Sequence, residues 1–317
     1  MKAIVYTQYG APDVLQIKEV AMPSPKGNEI LIRIKATAVN SGDVRLRKAD
    51  PFAVRFIFGF IKPKINILGS VFSGDVEGIG KDVKKFKIGD TVFGHTDMNF
   101  GSYAEYKSLP ENASIALKPA NVSHGEAAVI PFGGVTAYHF IKKAMIKPGQ
   151  KVLVIGASGA VGSSAVQIAK SFGAHVTGVC STANMDLVKS IGADNVIDYT
   201  KQDFTQNGET YDVIFDTVKA ISVPKAIKSL NKNGIMILSA AGISEMLQGL
   251  WISKTSSKKV MTGVIGHTAA DIIFLKGLIE TGRLKPVIDR TYPLEKIAEA
   301  HAYAEKGHKK GNIIINV

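Results

Sequence analysis

Only one cysteine, Cys180, occurs in 317 residues, so no internal disulfide can form and a four-cysteine structural zinc lobe is excluded. A chain this long needs no such staple, because it can bury one or two cores of its own. The near-absence of cysteine fits a reducing, cytosolic setting. Acidic residues are few beside basic ones: 27 Asp and Glu face 39 Lys and Arg, a formal charge of +12. Such a balance raises nucleic acid or an anionic membrane surface as partners. The lysines, however, are dispersed in small groups (Lys84/Lys85/Lys87, Lys142/Lys143/Lys147, Lys258/Lys259, Lys309/Lys310), the pattern of a solvated face. Nucleic-acid binding is therefore not expected, and peripheral membrane contact has no specific support at this level. Long hydrophobic runs are missing as well. The nearest, Phe52 to Leu68, is broken by Arg55, Lys62, Pro63 and Lys64, so no membrane span is expected. No apolar segment follows Lys2, and MKAIVYTQYGAPDVL reads as strand and turn instead of a signal peptide.

The stretch from Lys151 to Ala174, KVLVIGASGAVGSSAVQIAKSFGA, organises the rest. Lys151 to Ile155 has the β-branched apolar pattern of a parallel strand buried on both faces. Gly156, Gly159 and Gly162 follow, and a helical period then runs through Val161, Ala165, Ile168, Ala169 and Phe172 to Gly173. Strand, glycine turn and helix in that order make an anion site, because unpaired N–H groups and the positive dipole end converge at the helix start. Gly156, Ser158, Gly159, Ala160, Val161 and Gly162 are thus expected to cradle the pyrophosphate of a dinucleotide. A tight turn that binds nothing is the bland alternative.

Around this centre the chain divides. Residues 1–125 read as β-rich, with strands near 3–6, 15–20, 29–40, 71–80, 91–94 and 103–109, and no strong helical period before the end. Gly74, Gly78, Gly80 and Gly89 suggest a small curved sheet or barrel. A helix is expected from Ser123, capped by Ser123 and Glu126, to be broken by Pro131-Phe-Gly-Gly and resumed over 136–144. From Lys151 strands (151–155, 175–180, 195–198, 212–216, 234–239, 259–264) alternate with helices, the signature of a doubly wound parallel sheet. The expected domains are 1–125, completed by 267–317, and 126–266.

Read whole, the chain resembles the medium-chain dehydrogenase/reductase superfamily in its zinc-free quinone oxidoreductase (zeta-crystallin-like) branch. The matching residues are MKAIVYTQYGAPDVL, Asn40-Ser-Gly-Asp43, Gly69…Gly74-Asp-Val76…Gly80, Val83…Phe86-Lys-Ile-Gly-Asp90-Thr-Val-Phe, Gly101-Ser-Tyr-Ala-Glu105 and Pro131…Gly134-Val-Thr-Ala137. The glycine loop, Gly192-Ala-Asp194…Ile197-Asp-Tyr199, Tyr211-Asp212…Asp216 and Gly311-Asn-Ile-Ile-Ile continue the match. The resemblance implies an α/β protein with a GroES-like β-rich substrate domain and a Rossmann cofactor domain, an active site between them, and a dimer or tetramer, of which a homodimer is expected here. It implies reduction of a small lipophilic carbonyl or quinone by NADPH. Asn40 and Asp43 then lie in the turn facing the nicotinamide, although ordinary Asx-turn chemistry would account for both. Thr136 is implied beside the carboxamide, Tyr199 near the 2′-phosphate, and Thr217, Ala240, Gly242 and Asn312 elsewhere along the cofactor.

Zinc-bearing members carry an early cysteine and a Gly-His-Glu segment. Here those places hold Asn40-Ser41 and Gly69-Ser70-Val71, so no metal site is expected. The seven histidines (95, 124, 139, 175, 267, 301, 308) show no ligand spacing. Tyr138…Lys142 matches the Y-x-x-x-K of short-chain dehydrogenases, but it precedes the glycine loop and reads as one helix face. No acid occurs from Gly156 through Met185, where NAD sites place one, and the expected strand tip offers Ser181 and Thr182. NADPH is favoured on that ground, though the lysine of many relatives is replaced by Asn184-Met185. Residues 51–60, PFAVRFIFGF, are either core packing or a lid over an apolar pocket. The strand 259–264 is an edge expected to pair across a two-fold axis. Within enzymes the rival is an enoyl-thioester reductase. The rival from another class is an NADPH-binding protein serving a nucleic acid or a membrane surface.

Overall fold

The computed structural model describes residues 1–263 and 265–317. The chain forms two compact units, residues 1–132 with 267–281 and 286–317, and residues 133–266 with 282–285.

In the second unit six parallel strands are ordered Asn195–Asp198, His175–Cys180, Lys151–Ile155, Tyr211–Asp216, Leu230–Leu238 and Lys259–Met261. The first strand in sequence lies inside the sheet, so the chain winds outward from it in both directions. This is the doubly wound order in which ligands collect at the carboxyl ends of the strands flanking the reversal. The apolar run at 151–155 is explained by that position, since Val152, Leu153, Val154 and Ile155 are all buried. The outermost strand ends at Met261, short of the expected end at 264: Thr262 and Gly263 leave the strand, Gly263 with φ +143°, and residue 264 lies outside the described residues.

The first unit carries a seven-stranded, mostly antiparallel sheet, with its core of Ile30, Ile32, Ile34, Phe72, Val76, Val92, Leu109 and Ile115. Thr37 pairs with Phe72 and Val71 with His95, so Glu29–Val39, Val71–Ile79 and Thr91–His95 bring residues 40, 70 and 96 to one end of the sheet. This β-rich part also contains helices. Ser41–Lys48 and Val54–Phe58 are helical. The first, SGDVRLRK, has little apolar period, and its start is fixed instead by the reciprocal cap of Asn40 and Asp43.

The helix expected to break at Pro131 does not break. His124–Lys143 is one helix with Pro131 inside it. The glycines after the proline serve packing: a β-carbon on Gly133 would overlap the Ala160 carbonyl, so this helix lies directly against the start of Ala160–Ser171. Ser123 and Glu126 form the expected capping box, with Glu126 Oε2 accepting from the Ser123 N–H at 2.8 Å.

Candidate active site

The glycine loop is assembled by close approach. A β-carbon on Gly162 would overlap the Gly156 carbonyl, and Gly156 itself has φ +78° with Thr217 and Val218 packed against it. Thr217 Oγ1 donates to the Ile155 carbonyl at 2.8 Å, while buried Asp216 closes the following turn by accepting from the N–H groups of Val218 and Ala220. Gly159 differs from its neighbours. It is the N-cap of Ala160–Ser171, has no side-chain cap, and a β-carbon there meets nothing closer than 3.4 Å. The first N–H groups of a twelve-residue helix therefore open toward a cradle that any side chain would fill.

At the neighbouring strand tip, Asn184 Nδ2 donates to Ser158 Oγ at 3.1 Å and to Ser181 Oγ at 3.2 Å, while its Oδ1 is buried without a partner. Each serine oxygen already accepts, so each hydroxyl proton is directed elsewhere, as an incoming phosphate requires. Thr182 is different: its hydroxyl donates to Asp198. Asp198 also accepts from Thr200 N and Oγ1 at 3.0 and 2.7 Å, and the Thr182 and Thr200 hydroxyls hold its carboxyl below the usual range. Asp198 lies beyond the acid-free stretch 156–185 and reaches the strand tip by pairing opposite Cys180 on the adjacent strand. Tyr199 is exposed, and Cys180 is a buried thiol pushed up to about 11 by burial and by Asp198, hence inert. Thr136 is buried on the helix His124–Lys143, and Ala240 and Gly242 follow the strand Leu230–Leu238, where Gly242 caps Ile243–Thr255. Asn312 belongs to the other unit, and its amide is committed to the Val287 carbonyl at 3.0 Å.

In the first unit, Asn40 Oδ1 accepts from Gly42 N and Asp43 N at 2.8 and 3.1 Å, and Asn40 Nδ2 donates to Ser70 Oγ at 2.9 Å. Asp43 is fully buried and accepts from Asn40 N and Gly69 N, each at 3.2 Å. Burial pushes its carboxyl up to about 7, against the opposing hydrogen bonds from Asn40, Tyr103 and Gly69. Asp43 thus holds Asn40 and Gly69 in place and is not itself at the surface. Where zinc relatives carry ligands, the Asn40 amide and the Ser70 hydroxyl bond to each other, and neither group is a zinc ligand.

The histidines do cluster, contrary to their scatter in sequence. His95 and His267 stack with centroids 3.9 Å apart and planes 14° apart, and Asp97 Oδ1 lies 3.7 and 3.4 Å from their Nδ1 atoms. Three potential metal ligands therefore meet where linear spacing gave no signal. A metal must lie in the plane of each imidazole that binds it, which parallel stacked rings do not permit. His95 Nδ1 moreover already accepts from Asp97 N at 2.9 Å. Burial and His267 keep His95 neutral. Thr96 N donates to the Ser70 carbonyl at 2.7 Å, so Asn40, Ser70, Thr96 and this pair line one continuous end of the sheet.

The comparisons agree with this architecture. Residues 26–120 match the alcohol dehydrogenase GroES-like domain, and residues 191–315 match the zinc-binding dehydrogenase family. The 2-methylene-furan-3-one reductase of Solanum lycopersicum is 34% identical over all of this chain and 79% of its own length. This chain belongs to the medium-chain dehydrogenase/reductase superfamily, in its quinone oxidoreductase branch. The chloroplastic NADPH-dependent alkenal/one oxidoreductase of Arabidopsis thaliana is 31% identical over 99% of this chain and 79% of its own. The quinone oxidoreductase structure from Coxiella burnetii superposes with a TM-score of 0.91 at 28% identity, covering 100% of this chain and 99% of that one.

The buried carboxyl makes a pH prediction. An unfolded aspartate titrates near 3.9, whereas folded Asp43 titrates near 7. The folded chain therefore holds an extra proton between these values. The stabilisation is full below about pH 4 and is lost as pH rises through about 7. The unfolding free energy of the wild type minus that of Asp43→Asn should fall across this window, by at most about 1.4 kcal/mol per pH unit. Denaturant titrations of both proteins from pH 4.5 to 7.5 measure it, and parallel profiles would exclude a raised Asp43.

Proposed function

We propose that this protein reduces quinones and α,β-unsaturated carbonyls with NADPH and without zinc. The observation that carries the proposal is the phosphate cradle: an uncapped helix start at open Gly159, beside two serine hydroxyls whose oxygens Asn184 has already engaged. NADPH, when bound, supplies a hydride to the β-carbon of an enone or to a quinone. The N–H groups of Ala160 and Val161 hold the pyrophosphate, and Gly156 and Gly162 give it backbone access. Ser158 and Ser181 donate toward the ribose phosphate, with Tyr199 against it. Thr136, Thr217, Ala240 and Gly242 are assigned along the remainder of the cofactor. Thr182 acts through Asp198, and Asn312 through the strand it fastens. Asn40 orients the reactants from the sheet end, with Asp43 as its positioning residue. Water or a weakly acidic side chain supplies the proton.

The family's activity supports a reductase over a binding protein for nucleic acid or membrane. A reducing, cytosolic setting belongs to the same proposal, as does a homodimer. Lys259–Met261 is the open edge of its sheet, and the adjacent helix Ile243–Thr255 exposes Ile243, Leu247, Leu250 and Trp251. Sedimentation should give twice the chain mass at micromolar concentration, and a monomer there would remove the dimer.

Charge-assisted hydrogen bonds from Ser158 and Ser181 should favour NADPH over NADH, but Asp198 beside Thr182 holds the preference to about tenfold. Ser181→Asp should reverse it, read as dissociation constants of both nucleotides by calorimetry. Enone reduction should also survive exhaustive EDTA treatment. Tighter NADH binding by the wild type would overturn the cofactor assignment. Loss of activity with chelator and recovery with zinc would overturn the metal assignment and direct attention to His95, Asp97 and His267.

A further inference from the structure

The segment from Pro51 to Lys64 is used by neither the phosphate cradle nor the sheet-end cluster. Phe52, Phe56, Ile57, Phe60 and Ile61 are between 58% and 86% exposed. The rings of Phe52, Phe56 and Phe60 touch one another, with centroids 5.8–6.1 Å apart, so they form one patch instead of scattered surface residues.

This patch is held outward by its own framework. Val54 and Phe58 point inward and pack on the core, with Phe58 edge-on to Phe100 at 6.0 Å. The Arg55 guanidinium lies 4.7 Å over the Tyr9 ring and 5.4 Å over Phe52, and its Nη1 donates to the Phe60 carbonyl at 3.2 Å. The Tyr9 hydroxyl donates to the Gly59 carbonyl at 2.8 Å, and Lys64 N donates to the Phe58 carbonyl at 2.7 Å. An unbraced loop of this composition would fold its rings away from water. Here the bracing keeps them out.

Basic charge flanks the patch on its C-terminal side, while exposed Asp50 precedes it. No acidic residue occurs between Asp50 and Asp75, while Lys62 and Lys64 are exposed immediately beside Phe60 and Ile61, on a chain of net charge +12. Phenyl rings flanked by ammonium groups match the boundary of an anionic bilayer, where rings enter among the acyl chains and cations meet headgroup phosphates. A second copy of this chain fits poorly, because a two-fold contact would set the lysines of one patch against those of the other.

We infer that Phe52, Phe56, Ile57, Phe60 and Ile61, with Lys62 and Lys64, dock this protein on an anionic lipid surface. The docking does not depend on the chemistry assigned to the cofactor unit, and lipophilic quinones or enones would be met there at raised concentration.

Co-sedimentation with large unilamellar vesicles tests the inference. Wild type should partition onto phosphatidylcholine vesicles containing about one-third phosphatidylglycerol, and at least about tenfold less onto phosphatidylcholine alone. Partition should fall severalfold as NaCl rises from about 50 to about 500 mM. Phe56→Asp/Phe60→Asp should lose at least about tenfold by removing inserted rings, and Lys62→Glu/Lys64→Glu should lose the preference for anionic lipid. Circular dichroism and the thermal transition, measured on the same samples, check that each variant is folded. Absence of wild-type partition at low salt overturns the inference, as does equal partition of the phenylalanine variant. Unchanged partition with a raised KM for a lipophilic enone in vesicle-free solution would make the patch a substrate lid instead. A change of sedimenting mass with unchanged partition would make it an interface between copies.

Discussion

The Gly156 carbonyl sits where a β-carbon on residue 162 would have to go, and the cofactor unit is arranged around that contact. It brings the helix Ala160–Ser171 hard against the end of the strand Lys151–Ile155. The helix start therefore lies at the carboxyl edge of the sheet, next to the reversal in strand order. Gly133 extends the arrangement by letting the long helix His124–Lys143 rest on the Ala160 carbonyl. With its backbone packed this tightly on three sides, the loop leaves one open direction, at Gly159.

The first unit solves a different problem. Its sheet end holds Asn40 in one pose by burying a carboxyl. Asp43 ties Asn40 to Gly69 and Tyr103 at the cost of desolvation, which its raised titration records. Deeper in the same unit, Tyr103 reaches the His301 ring at 3.2 Å, and Arg47 pairs with Glu305, fastening the C-terminal helix to the first one. Burial and Arg47 hold His301 at about 3, so this contact stays neutral on the histidine side throughout the physiological range.

Features set by local pattern were legible in the sequence. The six parallel strands follow from apolar β-branched runs, and the Ser123–Glu126 cap from residue types three apart. What was not legible depends on neighbours distant in the chain. Ser41–Lys48 carries too few apolar residues to announce a helix, and Pro131 hides one because Gly133 is needed for packing and not for a turn. Asp198 reaches Thr182 only through strand pairing, and Asn184, which replaces an expected lysine, joins the two serines through geometry that composition does not encode. His95 and His267 meet only because the returning C-terminal segment completes the first unit.

The most direct measurement is calorimetric titration of NADPH into the wild type and into Gly159→Asp. Gly159 has room for a side chain, so the variant should keep its fold and thermal transition while placing a carboxylate in the phosphate cradle. Repulsion in this partly desolvated site should weaken NADPH binding by at least about tenfold, with enone-dependent oxidation of NADPH falling in parallel at low nucleotide concentration. Equal affinity in the two proteins would contradict the account, because the loop around which the unit is packed would then not hold the cofactor.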